Sequence, residues 1–466
     1  MKSLSPSMSA LRGARGLSLQ VLLDCQQRNA FIQECLDQRL QQVELTPLDR
    51  RLATQLAYGV LRRRGTLDYL IQRHCSRPHH QVEPLVWELL RLGAYQLLLL
   101  THIPPHAAIY ETVELAERWG QRRAKGFING ILRALAGLLT PDEATTPAAN
   151  ALPLEHHCYR RLARAVLPDP GTNMVEYFTT GFALPKWLCA RWLQRFAAEE
   201  CLRLGFWFAS PAPLWLRVNP LRLDRESFLK HLAEAGNAAE PRDHPQAVRL
   251  REHAAIRDLP GYNQGWFTVQ DESAMQVASA LAPAPGSRVL DLCAAPGGKT
   301  THLAELMGNQ GEIIACDSDD RRLRTVRELC QRLGITNVRT QCLHIKDNEE
   351  PPPGPFDAIL VDVPCGNTGV LGRRPEIRWR LKPGDFQTLV PLQTKLLLQA
   401  AERIRPGGAI VYSTCSIEPD ENRQVVNNVL TAMPDLALEA DREQISGKPA
   451  DGGYWARLRR KGVATY

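Results

Sequence analysis

Asp291-Leu292-Cys293-Ala294-Ala295-Pro296-Gly297-Gly298-Lys299-Thr300 joins a short apolar run to an amphipathic one. Its small residues let a backbone approach a ligand closely, and the helix start that follows offers unpaired N–H groups. Asp317 closes the next apolar run, a position where a carboxylate can accept hydrogen bonds from ribose hydroxyls. Gly298-Lys299-Thr300 nearly completes a phosphate-binding P-loop. That pattern needs its first glycine at position 293, which holds cysteine, so an NTPase is not expected.

Outward from this loop the pattern is regular. Short apolar segments at 288–292, 312–316, 358–362 and 409–413 alternate with amphipathic stretches such as 321–333. Alternation of this kind predicts an α/β, Rossmann-like domain over 265–466, a parallel sheet with helices on both faces. Ligands of such sheets bind beyond the carboxyl ends of the strands. Asp291, Asp317, Asp362 and Cys415 all fall at or just past those ends.

Upstream the period changes. Leu17, Val21 and Leu22, then Leu52, Leu56 and Val60, then Leu85, Leu89, Leu92 and Tyr95 recur at helical spacing, which predicts an all-α bundle within 1–140. Thr46-Pro47-Leu48-Asp49 reads as a helix start, with Thr46 as cap. Arg62-Arg63-Arg64 and Arg122-Arg123-Ala124-Lys125 are expected at helix ends or loops, where each singly reads as solvated surface and the two together suit RNA. The Pro-, Ala- and Thr-rich residues 140–153 read as linker, and 141–180 is assigned to a connection. A helical stretch at 185–204, strands near 215–219, 248–250 and 266–269, and a helix at 224–236 suggest a small α+β unit over 181–264.

The bulk numbers exclude several classes. A chain of 466 residues holds two or three domains. The longest apolar segment, 85–100, is interrupted by Glu88 and Arg91, so it predicts a core helix and no membrane span. No apolar signal segment follows the basic N-terminus, and twelve scattered cysteines lack any Cys-x-x-Cys, which together suit a reducing cytoplasm. Zinc-finger and thioredoxin readings lose their support, and His156-His157-Cys158 is a poor metal cluster because adjacent residues rarely converge on one ion; no metal is expected. A net charge of +7 is compatible with a polyanionic partner without requiring one. A monomer is the default.

Two further motifs carry chemistry. Val361-Asp362-Val363-Pro364-Cys365 and Ser413-Thr414-Cys415-Ser416 each close an apolar run. A thiolate is a nucleophile, and two thiols at neighbouring strand ends suggest that a covalent bond is made and then broken. Cys293, Cys316, Cys330 and Cys342 read instead as small buried hydrophobes.

These residues identify a family. The loop at 291–300, the segment from Asp362 through Cys365-Gly366-Asn367-Thr368-Gly369 to Trp379, and Tyr412-Ser413-Thr414-Cys415-Ser416-Ile417-Glu418-Pro419-Asp420-Glu421-Asn422 resemble the bacterial ribosomal RNA (cytosine-5)-methyltransferases of the Sun/Fmu group in the NOL1/NOP2/Sun family. Gly265 to Ser273 and Asp451 to Leu458 match as well, and the N-terminal helices resemble a NusB-like RNA-binding domain. The resemblance implies methyl transfer from S-adenosylmethionine to a cytosine of small-subunit ribosomal RNA. It makes Cys415 the nucleophile on carbon 6, gives Cys365 a part in product release, sets Asp362 against the cytosine edge, and lets Lys299 orient the base or lower a thiol pKa. The cofactor would be held by Cys293, Ala294, Ala295, Pro296, Gly297, Gly298 and Lys299, with Asp317, Arg322, His344, Asp347 and Asp362. A base in such a pocket must be unstacked, so the RNA is expected single-stranded or flipped. Arg373, Arg374, Arg378 and Arg380 then read as phosphate contacts.

Two positions depart from the family pattern. Gly366 stands where serine is usual, and His344 stands where an aspartate usually meets the adenine amino group, with Asp347 three residues later. They motivate a second reading, a non-catalytic RNA-binding or ribosome-assembly factor that keeps the fold. A third, methylation of an exocyclic amine, needs an aromatic residue where Cys365 stands.

Overall fold

In the computed structural model, which describes residues 13–155, 157–252, 254–344 and 349–462, the chain forms two compact units. One comprises 1–212 with 371–380, the other 213–370 with 381–466.

The first unit is a helical bundle. Its helices are Ala14–Arg28, Ile32–Leu40, Pro47–Gln72, Pro84–Leu99, Pro105–Arg118 and Lys125–Ala136. Three of them begin on proline, whose fixed φ suits a first turn. Thr46 Oγ1 accepts from the Asp49 amide at 3.1 Å, the cap read from the sequence. Pro84–Leu99 runs through the core, and its charges are paired there: Arg91 Nε and Nη2 reach the Asp68 carboxylate at 2.6 and 2.7 Å, and Arg91 also bonds Glu88. Residues 140–153 are not a bare linker. Leu139–Ala144, Ala151–Pro153 and Tyr159–Leu162 form a three-stranded antiparallel sheet. Its alternation is short and mixed with proline and threonine, so composition hides it. The stretch 185–204 divides into Lys186–Arg195 and Ala198–Ala209. Both helices belong to this unit; Trp192 of the first packs on Phe208 of the second at 5.7 Å, and Phe206 is edge-on to Phe182 and Tyr159 at 5.0 and 5.1 Å.

The arginine expectations need correction. Arg62 and Arg63 lie inside a helix, not at its end, and are buried. Arg62 Nε donates to the Gly372 carbonyl at 3.0 Å and Arg63 Nη2 to the Pro153 carbonyl at 2.6 Å. Arg378 is buried too, and donates to the carbonyls of Arg62 and Phe182 at 2.9 and 3.0 Å and of Phe208. Arg380 reaches the Ala30 carbonyl at 2.6 Å. These guanidiniums satisfy carbonyls within the bundle, which a linear charge pattern cannot reveal. Arg374 is exposed and stacks over Phe31 at 5.3 Å.

The second unit holds two sheets. The smaller is antiparallel, in the spatial order Ala239–Pro241, Ala247–Leu250, Leu214–Val218, Phe267–Val269. Helix Arg225–Glu234, capped by Asp224, packs Phe228 and Leu232 onto it. Strand Phe267–Val269 pairs with Leu214–Val218 and so completes this small sheet, although it lies past residue 264.

The larger sheet has seven strands, numbered here β1 (Arg288–Asp291), β2 (Glu312–Asp317), β3 (Val338–Cys342), β4 (Phe356–Asp362), β5 (Ile404–Thr414), β6 (Leu436–Gln444) and β7 (Gly453–Arg460). Their order is β3-β2-β1-β4-β5-β7-β6; β1 to β5 run parallel and β7 is antiparallel to both neighbours. Alternate residues of one strand feed opposite cores. Ala358 and Leu360 face helices Glu272–Leu281, Gly298–Leu306 and Asp320–Leu333, while Ile359 and Val361 face Phe386–Arg403 and Arg423–Ala432. Burial on both faces explains the continuous apolar strand runs of the sequence.

Candidate active site

β1 and β4 are neighbours because the sheet reverses its strand order between them, and the crevice there lies beyond their carboxyl ends. Asp291 ends β1, Asp317 ends β2, Asp362 ends β4, and Cys415 follows the last residue of β5. Residues remote in sequence thus meet at one end of one sheet.

The loop 292–298 is built tightly. Gly297 has φ 103°, and a Cβ there would come within 3.2 Å of the Val326 backbone, so glycine is required. The Ala294 amide donates to the Cys316 carbonyl at 2.8 Å, and the Ala295 amide to Asp317 Oδ2 at 3.2 Å. Arg322 Nη1 donates to Asp317 Oδ1 at 2.9 Å and Nη2 to the Ala295 carbonyl at 3.0 Å. Each Asp317 oxygen thus has one protein donor and keeps accepting capacity for a diol. Pro296 continues the turn into helix Gly298–Leu306. Beneath the loop, fully buried Asp291 takes a hydrogen bond from Thr300 Oγ1 at 2.7 Å, while its Oδ1 has no partner among the described residues. Burial pushes its carboxyl up to about 7. Cys293 is half-buried beside it, and burial drives its thiol well above the ordinary thiol range. A turn that bars a Cβ, a helix N-terminus and a carboxylate with spare lone pairs fit the nucleoside part of S-adenosylmethionine.

His344 follows β3, and Leu343 N donates to the Asp317 carbonyl at 2.9 Å, which brings the segment to the same crevice. The imidazole is half exposed; its Nδ1 lies 3.5 Å from Glu349 and its Nε2 3.7 Å from Cys342 Sγ. Asp347 lies outside the described residues, as does His156. Among the described residues no group of three or more His, Cys, Asp or Glu could hold a metal ion, and no helix is long and apolar enough to cross a membrane.

The thiols are adjacent. Cys365 Sγ and Cys415 Sγ are 3.3 Å apart, and Cys415 Sγ is 3.0 Å from Asn367 Oδ1. Asn367 adopts φ 57°, which turns its amide back so that Nδ2 donates to the Cys365 carbonyl at 2.6 Å. The Cys415 neighbour and then burial hold the Cys365 thiol well above the ordinary range. A sulfur kept protonated can donate to a thiolate on the other. Lys299 Nζ pairs with Asp362 Oδ2 at 2.6 Å, and Ser413 Oγ donates to Asp362 Oδ1 at 2.7 Å. Burial pulls the lysine pKa down, but the Asp362 charge more than offsets it and the ammonium is retained.

Three supporting groups escaped the sequence reading. Arg217, in the small sheet, is fully buried and forks onto Glu305 at 2.9 and 2.7 Å. It also donates to the Gly298 carbonyl at 2.6 Å and to Thr301 Oγ1 at 3.0 Å, bracing the turn that carries Lys299. A lone arginine between apolar residues of a strand is the only trace of this in the sequence. Buried Glu421 accepts from the Gly366 amide at 2.8 Å and from Gln393 at 2.9 Å, and Gln393 donates to the Pro364 carbonyl at 2.9 Å. Both peptide units around Cys365 are thereby held. A Cβ at Gly366 would lie 3.0 Å from Glu421 Oε2, so glycine leaves that carboxylate room.

Three family models match parts of the chain. Residues 278–452 match the model for 16S rRNA methyltransferase RsmB/F, 12–137 that for the NusB family, and 184–257 that for a ferredoxin-like domain of the RsmF/B-like methyltransferases. The chain is 37% identical to the probable ribosomal RNA small subunit methyltransferase B of Synechocystis sp., over 91% of each protein. It is 35% identical to ribosomal RNA small subunit methyltransferase B of Salmonella paratyphi B, over 90% of this chain and 92% of that one. The crystal structure of PH0851 shares the fold, with a TM-score of 0.76 at 23% identity over 96% of this chain and 99% of that one.

Proposed function

The chain belongs to the 16S rRNA methyltransferase RsmB/F family, and from that premise we propose that it transfers a methyl group from S-adenosylmethionine to carbon 5 of a cytosine in small-subunit ribosomal RNA. The observation that carries this reading is the pair of thiols 3.3 Å apart at the ends of β4 and β5, beside an Asp–Lys pair.

Carbon 5 of cytosine is a weak nucleophile. The Cys415 thiolate adds to carbon 6, forming a C–S bond and making carbon 5 enamine-like. Bound S-adenosylmethionine supplies an electrophilic methyl carbon, which carbon 5 takes. Loss of the carbon 5 proton then restores the ring double bond as the C–S bond breaks, and the electron pair returns to the Cys415 sulfur. Cys365 assists this release from its place against that sulfur. Asp362, held by Lys299 and Ser413, keeps lone pairs for the cytosine edge and stabilises the protonated ring as charge shifts. Lys299 fixes the carboxylate and orients the base.

Cys293, Ala294, Ala295, Pro296, Gly297 and Gly298 would hold the cofactor, with Asp317 offering its carboxylate to ribose hydroxyls beside Arg322 and His344 available to the adenine end. The helical and small α+β parts position the RNA, and a ribosomal substrate puts the enzyme in the cytoplasm, acting as a monomer without metal. The test is transfer of radiolabelled methyl to unmodified small-subunit ribosomal RNA by wild type and Cys415→Ala. Label in 5-methylcytosine with wild type alone supports the reading. Equal label with both refutes the nucleophile, and no label with either favours a binding factor.

A further inference from the structure

The cofactor-type residues gather at the ends of β1, β2 and β3, on one side of the thiols. On the other side, over β5, β7 and β6, a shallow cleft opens from Cys415 and Lys299. Its far wall is the β6–β7 hairpin, where Arg442 registers with Trp455 and Gln444 with Gly453. β7 is antiparallel, so the end of β6 and the start of β7 lie at the same sheet end as Cys415.

The cleft's chemistry is specific. Arg442 is exposed, makes no ion pair among the described residues and borders the opening. Gln276 and Gln444 add side-chain amides; Gln444 Nε2 donates to the Lys448 carbonyl at 3.1 Å, which leaves its Oε1 as the acceptor for a ligand. Asp271 and Asp451 also border the cleft; Asp271 Oδ1 is turned to the chain, accepting from Ser273 N and Oγ at 3.0 and 2.7 Å and from Asp451 N at 3.2 Å.

We propose that this cleft is the subsite for the nucleotide adjoining the target cytosine, with Arg442 pairing with its phosphate and Gln276 and Gln444 meeting its base edge. A cation and amides continuous with the reacting sulfur, on the side away from the cofactor, suit a polyanion that enters the crevice from one direction. The inference rests on the RNA reading above but not on the methylation chemistry.

The test is binding of unmodified small-subunit ribosomal RNA to the full-length protein as salt is varied, for wild type, Arg442→Ala, Arg442→Lys and Arg339→Ala. Arg339 is an exposed cation on the strand at the opposite edge of the sheet, paired with Glu312 at 3.4 Å, and controls for the loss of one positive charge. Arg442→Ala is expected to weaken binding about tenfold and lower the salt slope by about one, with Arg442→Lys recovering most of the slope. Gln444→Ala should alter the ranking of RNAs that differ only beside the target. Affinity and slope equal to wild type in Arg442→Ala, or an equal loss in Arg339→Ala, overturn the subsite. A wild type that does not bind this RNA overturns it as well. Binding that depends on Arg442 in a protein that transfers no methyl sustains the subsite and refutes the methylation reading.

Discussion

Replacing Arg217 by methionine tests how the small sheet supports the cofactor loop. Both members of the Arg217–Glu305 pair are fully buried, and the guanidinium makes two bonds to the carboxylate plus others to Gly298 and Thr301. Removing one member of such a pair costs about 3–5 kcal/mol, because the other charge stays buried. Gln246 Nε2, 3.0 Å from Glu305 Oε2, is the donor that remains and sets the loss near the lower limit. Burial already raises the Glu305 pKa, and loss of Arg217 raises it further. A raised carboxyl stabilises below its unfolded pKa and loses that contribution as pH rises, so the defect should grow from pH 5 to pH 8. The double variant Arg217→Met/Glu305→Leu removes both charges and should recover to within about 1 kcal/mol of wild type. Urea unfolding measures both, and the difference of about 2–3 kcal/mol is the cost of leaving Glu305 buried without its partner. Calorimetry on the recovered double variant then isolates the brace. Without the bonds to Gly298 and Thr301, S-adenosylmethionine should bind about tenfold more weakly, which is about 1.4 kcal/mol. A single variant that loses under about 1 kcal/mol, a double variant no better than the single, or unchanged cofactor affinity in the double would refute this reasoning.

Cys365→Ala should leave adduct formation intact and slow release, giving a covalent protein–RNA band on a denaturing gel; a variant that turns over without any band removes the release role. Asp317→Ala should weaken S-adenosylmethionine binding by about ten- to a hundredfold in calorimetry, since a buried carboxylate loses charge-assisted hydrogen bonds worth about 1.5–3 kcal/mol; an unchanged affinity contradicts the ribose contact. Asp291→Asn should stabilise the protein increasingly as pH rises. The Asp291 carboxyl, raised to about 7 from 3.8, favours the folded state below pH 4 and loses that contribution by pH 7, on the order of 4 kcal/mol in total. A wild-type-minus-variant difference that is flat between pH 4 and 8 in urea unfolding would show that this carboxyl ionises without penalty.

Local sequence determined much of this protein. The turn at Gly297, the cap at Thr46 and the strand ends at Asp317, Asp362 and Cys415 follow from rules acting over a few residues: positive φ, orphan amides, and apolar runs that stop where the chain leaves the sheet. The same rules separated a helical region from an α/β region. The tertiary structure decided where the charges went. Arg62, Arg63 and Arg378 look in sequence like an RNA-facing set, yet each is buried on backbone carbonyls, because a long side chain can cross a packed layer to acceptors remote in sequence. Arg217, Glu305 and Gln393 carried no motif and Glu421 lay in one without an assigned role, and only the packing of the sheets and helices makes them supports of Lys299 and Cys365. Residue type and spacing reveal which groups can do chemistry. Whether a charge meets solvent, a partner or a carbonyl depends on contacts across the fold, and no local pattern encodes those.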